Sequence, residues 1–137
     1  MTATAPVTVT QAVSESEADR WVIIEVNDSG GEVELFFSPR TLVIPAGWIG
    51  NIIWYVFTPG WQLSAVANEP AVIFQTAGFN GVPQLDPTRA NCWSACVAND
   101  APGSFHYAVT VHREGDPTTR CYSTDPVVEN APPPPTP

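Results

Sequence analysis

The stretch APGSFHYAVTVH, Ala101–His112, decides how the chain is read. Its Pro-Gly opening is a turn signal, and from Ser104 to Arg113 the sequence alternates. Phe105, Tyr107, Val109 and Val111 fall on one side, and His106, Ala108, Thr110 and His112 on the other. A period of two predicts a β-strand with one face in a core and the other solvated or lightly covered.

The flanking sequence repeats this texture. RWVIIEVN (20–27) and EVELFF (32–37) enclose the turn formers NDSGGE and read as a hairpin. TLVI (41–44) lies between Ser38-Pro39 and Pro45-Ala46-Gly47, two chain breakers. NIIWYVF (51–57) is apolar at all positions but Asn51, the composition of a strand covered on both faces. WQLSAV (61–66) and AVIFQ (71–75) are short strands around the turn NEP. Residues 76–100 show no period and are expected to form one long loop, with a short helix near RANCWSACVA. Residues 1–19, small and acidic, read as a flexible leader, and 125–137, DPVVENAPPPPTP, as a proline-rich tail. The domain is therefore expected over 20–124.

Composition agrees with an all-β class. The chain has 137 residues, enough for one domain with a real core. Fifteen prolines and nine glycines against 14% charged residues favour turns over exposed helices. Fourteen acidic residues face five basic ones, Arg20, Arg40, Arg89, Arg113 and Arg120, for a net charge of −9. That balance argues against nucleic acid, whose phosphates are bound by clustered cations. With no lysine, Schiff-base and P-loop chemistry are excluded. No 18-residue apolar run exists, so no membrane span is expected. The N-terminus has neither a basic region nor an apolar core of secretory type, so a cytoplasmic location is expected, export being the alternative.

VELFFSPRTLVIPAGWIGNIIWYV, with its Trp-bearing inner strand, and APGSFHYAVTV, with its Pro-Gly-x-aromatic-x-Tyr strand, resemble the cupredoxin family over roughly residues 30–113. The resemblance implies a Greek-key β-sandwich of about seven to eight strands. It also implies where copper ligands would stand: a histidine near Trp61 to Leu63, a cysteine at Val109, a second histidine at His112 and a methionine beyond it. Only His112 is a ligand type, because the sole methionine is Met1. A type 1 copper centre is therefore not expected.

The remaining candidates are few. Cys92 and Cys96 form CWSAC, which on a helix would share a face, and with Cys121 and His112 could make a zinc or Cu(I) site. In an exported protein, Cys92–Cys121 or Cys96–Cys121 would instead form a disulfide; otherwise the cysteines are packing residues. His106 and His112 share a strand face but lie roughly 20 Å apart, too far to chelate one ion. None of the motifs that announce an activated serine, a zinc water or a nucleotide occurs. Trp21 and Trp54 are expected in the core. Trp48, Trp61 and Trp93 follow glycine turns or sit in the long loop, where they could form a partner-binding aromatic patch or plug the vacated copper site. The expectation is a non-catalytic binding or self-assembly module without a cofactor, contacting a protein partner or itself. Two alternatives stand beside it: a metal-binding or electron-transfer protein with a non-standard site, and an aromatic-lined carbohydrate-binding module.

Overall fold

A computed structural model describes residues 19–134, and every regular element among them is a β-strand. The expected leader, Asp19 apart, lies outside the described residues. The strands are β1 (Arg20–Asn27), β2 (Glu34–Ser38), β3 (Thr41–Ile44), β4 (Ile49–Val56), β5 (Trp61–Leu63), β6 (Val72–Phe74), β7 (Gln84–Leu85), β8 (Cys92–Ala98), β9 (Gly103–Arg113), β10 (Asp116–Ser123) and β11 (Val127–Asn130). One mixed sheet has the order β2-β1-β4-β8-β7. The other has the order β10-β9-β11-β3, with β5 and β6 also paired to β9. The chain crosses between sheets after β2, β3, β4, β6 and β8, and their inner faces share one core, as in a β-sandwich.

The alternation read in β9 sets the inside of its sheet. Tyr107, Val109 and Val111 are fully buried against Ile24, Ile52 and Trp54 of the opposite sheet, each large side chain contributing about 1.5–3 kcal/mol. Trp54 meets Tyr107 edge-on, with ring centroids 5.6 Å apart. On β4, Ile52, Trp54 and Val56 enter this core, while Ile53 is buried on the outer face between its register neighbours Trp21 and Ser94. Trp21 is not a core residue: it stands on that outer face, 43% exposed, with the Arg89 guanidinium 5.8 Å over its ring.

Both ends of the core are closed by tryptophan. Trp48 closes one, and the side chain of Asn99 beside it donates to the carbonyls of Ile44, Pro45 and Ala131, tying the two sheets. Trp61 closes the other under the Arg113 guanidinium, 4.6 Å from the ring, itself held by Asp28 at 2.8 Å.

Two further expectations are corrected. The segment RANCWSACVA is not a helix: Cys92–Ala98 is β8, antiparallel to β4 from Tyr55↔Cys92 to Ile49↔Ala98. Trp93, Ala95 and Val97 point into the core, so a period of two lies inside the cysteine spacing that also fits a helix. The tail does not start at 125, because Val127–Asn130 is β11, an interior strand parallel to β3 and antiparallel to β9. Val128 and Asn130 are buried there, and the run of consecutive prolines begins only past the strand, at Pro132. The second sheet thus reaches Asn130.

Gly50 makes the Trp48 plug fit. A Cβ at position 50 would stand 2.6 Å from Trp48 Cζ2. Gly50→Ala is expected to lower stability by about 1–3 kcal/mol, the range for overpacking. Unchanged urea denaturation would show that the ring moves aside freely.

Candidate functional site

Strands β5 and β6 occupy one edge of β9, yet they are not continuous. Leu63 pairs with Val111, Val72 pairs with Val109, and Ser64–Ala71 leaves the sheet between them. Both ends of this excursion close on one residue: the Ser64 N–H donates to the Thr110 carbonyl (2.9 Å), and the Thr110 N–H donates to the Ala71 carbonyl (2.8 Å). At its crest, Glu69 N–H bonds the Val66 carbonyl and Asn68 takes a left-handed φ of 66°, which asparagine tolerates.

Four side chains hold the excursion. The buried Ser64 hydroxyl donates to Glu69 Oε1 (2.7 Å), and Glu69 Oε2 lies 3.3 Å from Arg120 Nε. From the outer face of β9, His112 Nδ1 lies 2.7 Å from the Arg113 carbonyl, so Nδ1 carries a proton and donates. Its Nε2 accepts the Ala65 N–H at 3.3 Å. Both ring nitrogens of this buried histidine are thereby used.

A cleft opens on each side of the excursion. One, of about 680 Å³, lies between Ala65–Val66 and the turn of Gly115, Pro117 and Thr118, with His112 and Arg120 in its wall. The other, of about 560 Å³, separates the excursion from the other sheet: Val66, Glu69 and Pro70 face Pro83, Gln84, Leu85 and Trp93. Leu85 on its rim is 65% exposed.

The candidate residues named from sequence separate accordingly. Trp48 and Trp61 are buried in the core and present no surface, whereas Trp93 is half-buried and lines the second cleft. Cys92 and Cys96 stand on the outer face of β8, about 13 Å apart by strand rise, while Cys121 is on β10 in the other sheet. Cys121 faces the core and His112 the opposite side, so the four do not converge. Among the described residues, no three His, Cys, Asp or Glu side chains form a metal-sized cluster. Burial pushes the Cys92 thiol up, helped by the Asp86 carboxylate and opposed by Arg89; burial alone does so at Cys121. Both are therefore held as thiols, the weaker nucleophiles and ligands.

The loop between β7 and β8, which backs the second cleft, is organised by Asp86. Its buried carboxylate accepts from the Thr88 N–H (2.7 Å), the Thr88 hydroxyl (2.9 Å), the Arg89 N–H (2.8 Å) and Arg89 Nη1 (3.1 Å). Arg89 Nη2 continues to Asp19 at 2.9 Å. Burial raises the Asp86 carboxyl, but the hydrogen bonds from Thr88, Ser94 and Arg89 outweigh it and hold the group well below the usual carboxylate range. The excursion itself was not anticipated from sequence. Its only signal was the NEP turn between two short apolar runs.

No protein-family model and no curated protein matches the chain.

Two outcomes follow from this geometry. Because Asp86 has a depressed folded pKa, its stabilisation is complete above its unfolded value near about 4 and is lost as pH falls below that. Asp86→Asn should lower stability at pH 7 by about 1–3 kcal/mol and flatten the acid limb of the pH–stability curve; parallel curves for both proteins would refute the assignment. His112→Ala should speed hydrogen exchange at the Ala65 amide while leaving Thr110 protected, read residue by residue by NMR.

Proposed function

We propose that the chain is a non-catalytic binding module on a cupredoxin-like Greek-key sandwich without type 1 copper. It contacts a protein partner or a second copy of itself through the cleft at Trp93. The observation that carries this reading is a half-buried tryptophan placed in a largely apolar cleft beside an exposed leucine, Leu85, at the rim where the two sheets' edges meet. An aromatic anchor beside exposed apolar surface is the usual makeup of a contact site.

The residues do not fit copper. Val109 and Trp61, at positions where the resemblance would require cysteine and histidine, are buried apolar side chains, and His112 spends both nitrogens on main-chain groups. A carbohydrate site is the competing reading, supported by the polar residues Asn68 and Glu69 that line the cleft together with Trp93.

Native mass spectrometry with elemental analysis tests the choice. Metal-free species above the 14.7 kDa monomer, reduced to monomer by Leu85→Asp, are expected. Stoichiometric copper or zinc lost on His112→Ala would replace this reading with a metal carrier. Tryptophan quenching by oligosaccharides, absent in Trp93→Phe, would replace it with a carbohydrate module.

A further inference from the structure

We infer that the cleft at Trp93 receives the proline run Pro132–Pro135 of a second copy of this chain, joining copies head to tail. This names the ligand of the binding site proposed above and rests on that reading.

The run leaves the sandwich from a fixed point. Ala131 donates its N–H to the Ile44 carbonyl (2.9 Å) and its own carbonyl accepts Asn99 Nδ2 (3.1 Å), after which Pro132–Pro134 are exposed. Consecutive prolines favour the polyproline II conformation, which has no internal hydrogen bonds and is stiff before it binds. Little entropy is then lost on docking, and recognition falls to aromatic-lined grooves with apolar ridges. The cleft has that composition: Pro83, Leu85 and Trp93 line one wall, and Val66 and Pro70 line the wall facing them.

Geometry makes the contact intermolecular. Asn130 pairs with Gly103 on one edge of β9, whereas the excursion closes on Thr110, across the strand and roughly 23 Å farther along it. Four prolines extend about 12 Å. Starting one residue after Ala131, the run ends short of its own cleft. Charge selects the same segment: at −9 two copies repel, and the run brings no charge to the contact. Because donor run and acceptor cleft are different surfaces, the contact is heterologous and yields chains or rings.

The test uses the full chain, with the peptide ENAPPPPTP and a control carrying Gly and Ser in place of the four prolines. The proline peptide should shift the Trp93 indole N–H signal, identified by its loss in Trp93→Phe, and the Leu85 amide. Leu85→Asp, on the exposed rim and so not expected to disturb folding, should weaken binding about tenfold or more. Pro132→Ser/Pro134→Ser in the full chain should remove the assemblies seen by native mass. Unmoved Trp93 and Leu85 signals at millimolar peptide, or equal shifts with the control, overturn the inference. If the doubly substituted chain still assembles but Leu85→Asp does not, the cleft remains a contact site and this occupant is wrong. If neither substitution changes assembly and the peptide is silent, the binding reading fails too.

Discussion

An eleven-residue strand that must satisfy main-chain groups along both edges while burying one face under Trp54 governs this architecture. A buried amide or carbonyl left unpaired in β9 costs about 1–3 kcal/mol, so its edges are filled by whatever the chain supplies. On one side that is β5 and β6, on the other β10 and β11. Neither pair is regular. Across Thr124–Pro126 the register slips by one residue from Val109↔Ser123 to His106↔Val127, at a proline with no N–H to lose. Its carbonyl is still used, accepting the Tyr107 N–H at 3.2 Å. On the other edge the interruption is larger and becomes the wall between two clefts.

How much of this was written locally in the sequence follows from the range of the interactions involved. The alternation of β9 and the apolar run of β4 each carry their own signal, so those elements and the core they share were legible. The fate of CWSAC was not, because Cys92 and Cys96 satisfy a helical spacing while Trp93, Ala95 and Val97 satisfy a strand; pairing with β4 decides between them. Val127–Asn130 was hidden by its proline neighbours, although Val128 and Asn130 point inward. The tryptophans show the same limit. Trp48 and Trp61 follow similar glycine turns to any exposed aromatic, and their burial depends on how the chain folds around them: the missing side chain at Gly50, two residues on from Trp48, and the distant guanidinium of Arg113 over Trp61. The candidate site was illegible because it depends on two strands sharing one edge of a third.

The scarce cations are placed rather than spread. Arg89 reaches Asp19, Arg113 reaches Asp28 and Arg120 reaches Glu69, each joining segments distant in the chain. Such partly exposed pairs contribute about 0–1 kcal/mol each, too little to hold the sandwich together. Their effect is positional: Arg89 and Arg113 lie over tryptophan rings, and Arg120 sets the orientation of Glu69 at the crest between the clefts.

The closure of Ser64–Ala71 on Thr110 separates length from register. Because the loop departs and returns through the two main-chain groups of one residue, residues added or exchanged between Ala65 and Pro70 leave every pairing of β9 in place. Lengthening it costs only the slowly growing entropy of a larger closed loop. The fold therefore carries a natural grafting position, where sequence can diversify and reshape both clefts while the framework stays unchanged.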